Sequence, residues 1–325
     1  MTATIRAQSD PCLDIHGHLL PPGLPDFAAR YGDDRWPVLE TDGEAGVILA
    51  GGRVFRKVES SYWSLSRRER RLDAGGIDLQ VLSPLPVLLP SWAGAAEATE
   101  WCRALNDAMA SAIGKSPGRY VGFGTVALQD PDSAAAEAER IRASGLLGVA
   151  LGTAIEASTI ADGRFEGFFR HLGSLGIPVL VHPNRKGLLG RVPRSLEVGL
   201  ATTTDTALTI GELALRAGPT ARYPRICLAH GGGTLLWAWS RIRSVLGQAE
   251  GQLPPWLSFD TAGCDLPQIE YLLAVAGPDR VLFGSDQPGT PDEVVADQQA
   301  ALRATGRLTV LNQNVRRFME GEEAR

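Results

Sequence analysis

Eight short apolar runs, each of a length suited to a buried parallel strand, recur along the chain. They fall at Cys12–His16, Ile77–Ser83, Tyr120–Val126, Leu147–Gly152, Ile177–His182, Arg225–His230, Trp256–Asp260 and Arg280–Ser285. Between most of them the apolar positions switch to three- and four-residue spacing, which predicts helices. Ala95–Ile113, Asp132–Ala143, Phe165–Leu175, Thr202–Ala217, Thr234–Leu246 and Leu266–Ala276 carry that pattern. Asp130-Pro131-Asp132 supplies a capping residue and a first-turn proline for the second of these helices. Strand–helix alternation of this kind requires right-handed crossovers and a parallel sheet. Eight repeats, with no glycine-rich phosphate turn after the first strand, predict a closed (β/α)8 barrel rather than an open doubly wound sheet.

One stretch breaks the rhythm. From Pro21 to Lys57, Pro22-Gly23, Asp42-Gly43 and Gly51-Gly52 separate short runs such as Val47–Ala50 and Arg53–Val58. That pattern predicts a small antiparallel β insertion at about residues 21–60, over one mouth of the barrel. Residues 1–325 are otherwise read as a single barrel domain, because a chain of this length buries about 75% of its unfolded surface without staples. The 32 basic and 37 acidic residues leave a net charge of −5, so no basic excess exists to neutralise nucleic-acid phosphates. No uncharged apolar stretch approaches the ~18–20 residues of a membrane-spanning helix. The first ten residues lack the apolar core and cleavage site of a secretion signal, which predicts a cytoplasmic protein. The cysteines Cys12, Cys102, Cys227 and Cys264 lie far apart with no CxxC, as small buried hydrophobes do.

The candidate chemistry lies at the strand ends, where barrels of this type collect it. His16 and His18 close the first run two residues apart, so both imidazoles face the same side. His182 ends the fifth run, His230 the sixth, and Asp286 follows the eighth. Imidazole and carboxylate donors converging without cysteine suit a divalent zinc or manganese ion. A histidine left off the metal would serve as acid or base. His171 sits in a helical pattern and is assigned no chemistry. Gly114-Lys-Ser-Pro-Gly118 matches a nucleophile elbow in letters, but a helix precedes it where the elbow needs a strand. Gly122-Phe-Gly-Thr-Val-Ala127 matches a dinucleotide fingerprint, yet it lies inside a strand run, where glycines serve close packing.

Four segments carry a family resemblance: Asp14-Ile-His-Gly-His18, Val179-Leu-Val-His-Pro183, Leu228-Ala-His-Gly-Gly-Gly233 and Leu282-Phe-Gly-Ser-Asp286. Together they resemble the amidohydrolase superfamily, and more narrowly its branch of metal-dependent, cofactor-free decarboxylases typified by aminocarboxymuconate-semialdehyde decarboxylase. Arg71–Val81, Leu105-Asn-Asp107, Arg119–Thr125 and Arg222–Cys227 extend the similarity over nearly the whole chain. The resemblance implies His16, His18, His182 and Asp286 as ligands of one divalent ion, zinc before manganese, with no organic cofactor. It makes His230 the catalytic acid/base, with Asp286 also counted as catalytic. It aligns Arg56 with an arginine that holds a substrate carboxylate, and Arg241 with one that reaches the neighbouring site of a homodimer in trans. Asn184, a further substrate-binding candidate, stands where muconate-type members carry an aromatic residue. Gln287-Pro288-Gly289 replaces their aromatic–proline–aromatic run. The fourth strand ends Ala150-Leu-Gly-Thr153 with no lysine or carboxylate to bridge a second metal.

The reaction so implied is non-oxidative decarboxylation of an unsaturated or aromatic carboxylic acid, with the metal as Lewis acid. The alternative keeps the site and hydrolyses a lactone, amide or activated C–C bond with metal-bound hydroxide. A metal-binding barrel that carries ligand without turnover is the third class.

Overall fold

The computed structural model of the protein describes residues 11–184, 194–218, 222–245 and 253–321. Chain order begins with strand β1 (Leu13–Leu19), a short helix α1 (Phe27–Tyr31), strands β2 (Val38–Asp42), β3 (Ala45–Leu49) and β4 (Val54–Glu59), and helix α2 (Leu65–Ala74). Then follow β5 (Leu79–Pro84), α3 (Ala95–Ile113), β6 (Tyr120–Gly124), α4 (Pro131–Ala143) and β7 (Gly148–Gly152). A small hairpin, β8 (Ala154–Ile155) and β9 (Ser158–Thr159), precedes α5 (Glu166–Leu175), β10 (Val179–His182) and α6 (Arg194–Ala217). The last elements are β11 (Ile226–Leu228), α7 (Leu235–Val245), β12 (Leu257–Asp260), α8 (Leu266–Ala276), β13 (Val281–Leu282), α9 (Asp292–Ala304) and α10 (Arg307–Glu320).

Eight strands pair in parallel in the order β1-β5-β6-β7-β10-β11-β12-β13, as the eight apolar runs predict. The last strand returns to the first: Ile15 N–H donates to Phe283 O (2.9 Å) and Asp286 N–H to His16 O (2.9 Å). These bonds close the barrel, while on its other side only Val281–Leu282 of the last run pairs with β12. Residues alternate between two cores. Inward, Leu13, Ile15, Leu79, Val81, Phe123, Ala150, Leu180, Cys227 and Leu282 fill the barrel, and Val315, Phe318 and Met319 of α10 plug its N-terminal end. Outward, Leu82, Val149, Val181, Leu228 and Phe259 meet the surrounding helices. Gly122 and Gly124 serve packing: a Cβ on Gly122 would lie 2.3 Å from Leu146 Cδ2, and one on Gly124 2.6 Å from Asn106 Oδ1. The Gly114–Gly118 segment is the turn that ends α3, with no strand before it.

The insertion after β1 is the antiparallel sheet β2-β3-β4, with a two-residue turn at Gly43-Glu44 where Gly43 takes φ 61°. An aromatic cluster fastens this region to the barrel. Trp36 lies 4.8 Å from Trp92 and 5.2 Å from Trp101 between ring centroids, and Phe27 lies 4.9 Å from Trp101. Asp130 caps α4 by accepting from Ser133 N–H (3.2 Å), as its sequence predicts. Helix α6 starts eight residues before the expected Thr202. The N-terminal decapeptide, expected to lack a secretion signal, and Leu246, the expected end of the helix after β11, lie outside the described residues. Among the described residues no helix is long and apolar enough to cross a membrane.

Candidate metal centre

Parallel strands present all their C-terminal ends at one mouth, and there the side chains predicted from sequence come together. His16 and His18 share the inner face of β1, with His16 Nε2 3.0 Å from His18 Nε2. Their spacer needs to be glycine, because a Cβ on Gly17 would lie 2.5 Å from Gln80 Cδ. His182 ends β10, and His230 follows β11 with its Nε2 3.1 Å from His182 Nε2. Asp286 Oδ1 reaches His18 Nε2 at 3.3 Å and His16 Nε2 at 3.6 Å. Two overlapping triads result, His16/His182/His230 and His16/His18/Asp286, in each of which the donor atoms lie within 4.8 Å of one another.

Every imidazole is anchored through its other nitrogen. His16 Nδ1–H donates to Asp260 Oδ2 (2.7 Å), His182 Nδ1–H to Pro183 O (2.9 Å) and His230 Nδ1–H to Ala262 O (3.3 Å). The Ser83 hydroxyl donates to Gly17 O, which leaves its lone pair for His18 Nδ1–H at 3.2 Å. These acceptors assign the Nδ1–H tautomer to all four rings, so four Nε2 lone pairs and a carboxylate face one point. Lone pairs about 3 Å apart repel unless a cation lies between them. Outward Nδ1–H bonds of this kind are the ordinary support of metal-binding histidines. The donor set therefore fits a divalent ion, and its nitrogen-plus-oxygen make-up suits zinc or manganese.

Electrostatics agree with that assignment at His18, His182 and Asp286, while His16 holds a second proton that an incoming cation displaces. Burial pushes His18 down to about 4, against the Asp286 hydrogen bond and with the help of the nearby His16 charge. Burial, together with the positive fields of His230, His18 and His16, holds His182 well below the ordinary histidine range. Asp286 would rise on burial, but the His18 hydrogen bond and the His16 and His18 charges hold it well below the usual carboxylate range. Burial would lower His16 as well. Asp260, by its charge and its hydrogen bond, lifts it instead to about 9 in the metal-free protein. His18, His182 and Asp286 are thus already in the deprotonated forms that ligation needs.

Backbone strain concentrates at the same place. His230 (φ 56°) and Asp286 (φ 58°) are two of three non-glycine residues with positive φ among the described residues. Such conformations cost of order 1–3 kcal/mol and persist only where the surroundings impose them. For Asp286 the surroundings are its own N–H on His16 O and the Gly289 N–H on its carbonyl (2.8 Å).

Residues absent from the sequence-derived site brace it from below. Asp14, buried, accepts from Ser285 Oγ (2.6 Å), Gln80 Nε2 (2.7 Å), Ser285 N–H (2.9 Å) and His16 N–H (3.0 Å). Gln80 Oε1 in turn accepts from Arg68 Nη1 (2.9 Å), and the Arg68 guanidinium also donates to the carbonyls of Gln287 and His18. Arg68 is 1% exposed, and burial brings its pKa down to about 10. This Arg–Gln–Asp relay pins β1 to the segment after β13, and so fixes His16, His18 and Asp286 relative to one another.

The remaining candidates stand apart from the histidines. Arg56, exposed on β4, donates to Tyr62 Oη at 3.3 Å. Arg241 is exposed on α7 and has no hydrogen-bond or ion-pair partner among the described residues. The Asn184 side chain is committed to the loop after β7, its Oδ1 accepting from Ala154 N–H (2.8 Å) and Thr153 Oγ1 (3.2 Å). His171 lies on α5 and pairs with Glu139 at 2.9 Å.

The model of the amidohydrolase family matches residues 13–321. A Dictyostelium discoideum protein named 2-amino-3-carboxymuconate-6-semialdehyde decarboxylase is 27% identical over 304 residues, covering 88% of this chain and 84% of its own. Among solved structures, Metarhizium anisopliae IDCase in apo form superposes with a TM-score of 0.79 at 21% identity, covering 97% of this chain and 98% of that one. A dihydroxybenzoic acid decarboxylase from a Polaromonas species, solved with bound manganese and 2-nitroresorcinol, superposes at 0.74 with 20% identity, covering 97% and 98%. At these identities the structural matches establish the fold.

Proposed function

This chain belongs to the amidohydrolase family, and from that premise we propose that it is a metal-dependent, cofactor-free decarboxylase of an unsaturated or aromatic carboxylic acid. The observation that carries the proposal is the convergence of four imidazole Nε2 atoms and the Asp286 carboxylate at the barrel mouth. The reaction class is supported by the decarboxylase name of the Dictyostelium relative, and a divalent ion by the manganese in the Polaromonas structure of the same fold. His16, His18, His182 and Asp286 would hold one ion, zinc or manganese. That ion supplies a Lewis acid for a substrate oxygen and for the charge that develops there.

The chain's own groups do the rest. His230, its Nδ1–H fixed on Ala262 O, offers Nε2 to the mouth; once it has taken a proton there from solvent, the imidazolium delivers that proton to the carbon that bears the leaving carboxylate. The carbon–carboxylate bond breaks as the new C–H bond forms, its electron pair stays on the organic fragment, and carbon dioxide leaves. Solvent then restores the proton to His230. Arg56 and Arg241 recognise carboxylate, for which a guanidinium offers paired donors. Asn184, locked against Ala154, shapes the wall beside His182. Screening hydroxybenzoates and amino-muconates for bicarbonate release tests the assignment. Carbon dioxide equal to product, detected as bicarbonate after its hydration in solution, is expected with no solvent oxygen in the organic product; a product carrying solvent oxygen and no carbon dioxide would establish hydrolysis instead.

Arg241 is exposed on a helix that also exposes Trp237 (79%) and Val245 (66%). Aromatic and arginine side chains at i and i+4 suit an interface hot spot, which supports a homodimer with Arg241 entering the partner's site. Mixing Arg241→Ala with His230→Asn chains, each strongly impaired alone, should restore activity at up to about half the sites of the mixed dimers. Mixed dimers that form and stay inactive would refute the trans arrangement.

A further inference from the structure

Asp260 ends β12 fully buried, and no arginine or lysine pairs with it among the described residues. A carboxylate placed so deep needs every lone pair occupied, and its partners are informative. Oδ2 takes the Nδ1–H of His16 at 2.7 Å. Oδ1 takes the N–H of Ala262 at 3.1 Å and stands 3.5 Å from the N–H of Gly231. Ala262 is the residue whose carbonyl holds His230 Nδ1, and Gly231 directly follows His230. One oxygen thus aims a candidate metal ligand, while the other secures the turn that holds the candidate acid/base.

The neighbouring strand keeps this carboxylate from swinging away. A Cβ on Gly284 would lie 3.0 Å from both Asp260 Cβ and His16 Cβ, so any larger residue there would press on both side chains. Thr261 locks the register by accepting from Gly284 N–H (3.1 Å) and donating to Gly284 O (3.3 Å).

From this geometry we infer that Asp260 is the positioning residue of the centre: it directs His16 Nε2 toward the metal and holds the His230 turn in place. The inference rests on the metal-enzyme proposal above, and its test separates the two. Asp260→Asn keeps the shape but cannot serve both His16 Nδ1–H and Ala262 N–H with its single oxygen. Asp260→Ser keeps a hydroxyl for the Ala262 turn and stops short of His16. Metal affinity is read by competition between the protein and a chromophoric chelator for Zn2+ and for Mn2+, alongside thermal unfolding of the metal-free proteins. Both variants should bind metal about 10–100-fold more weakly, the usual effect of removing an outer partner of a ligating histidine. Metal-free Asp260→Ser should still unfold cooperatively, at a temperature lowered only by the lost His16 contact. At saturating metal the remaining defect should fall on kcat and leave KM, since no group meeting substrate is removed.

Wild-type affinity in both variants would overturn the positioning role, as would a KM defect with kcat intact. Loss of affinity accompanied by collapse of the metal-free fold in Asp260→Ser would reduce Asp260 to a turn brace and overturn it too. Failure of the wild-type protein to take up either ion would instead refute the metal-enzyme proposal.

Discussion

Replacing His182 or Asp286 should remove metal and turnover together. Each comes from its own strand end: His182 from β10 and Asp286 from beyond β13, whereas His16 and His18 both lie in β1. Losing one of the four proposed ligands removes a metal–donor bond and the affinity it contributes. The choice of variant matters at Asp286. Its backbone has φ 58°, which alanine resists and asparagine tolerates. Asp286→Asn therefore removes the charge without the strain, whereas Asp286→Ala adds a conformational penalty to the loss of the ligand. His182→Ala carries no such complication. Both His182→Ala and Asp286→Asn should emerge from purification without metal and without activity. Fully metallated variants would show that these side chains are not ligands.

At His230 the expectation is the opposite split. His230→Asn should keep the ion and the fold while turnover falls about 10²–10⁴-fold, the scale of acid–base catalysis. The backbone argument again selects asparagine, since His230 has φ 56°. Proximity makes the outcome sharp: His230 Nε2 lies only 3.1 Å from His182 Nε2, inside the space a ligand would occupy. Metal content measured beside kcat decides between the two roles. Metal loss with activity loss would make His230 a ligand, and near-normal turnover would remove it from the chemistry.

The barrel was legible in the sequence because each strand is a short, fully apolar run, and because alternation carries polar residues to one end of every run. The same logic found the four histidines and Asp286. It stopped short at Asp260, although Trp256-Leu-Ser-Phe-Asp260 ends as the others do. A lone aspartate closing a strand gives no sign that an imidazole from β1 lies across the barrel. Arg68 was hidden for a different reason. Leu65–Ala74 holds four arginines, which read as a solvated face, and only folding shows that one points inward to carbonyls of β1 and the loop beyond β13. Charge also concealed α2 itself, whose apolar stripe is little more than Leu65 and Leu72. Asn184 was noticed as a departure from an aromatic position, yet its grip on Ala154 depends on contact between β7 and β10 that spacing does not reveal.

The proposed decarboxylase depends on a metal held by these side chains. Titrating manganese into metal-stripped protein while following carbon dioxide release from a turned-over carboxylate tests it most directly. Activity should rise from zero in proportion to added ion and level off at about one equivalent per chain, the stoichiometry of a single three-histidine, one-carboxylate site. Undiminished activity in the stripped protein, or metal uptake that leaves the rate unchanged, would contradict it.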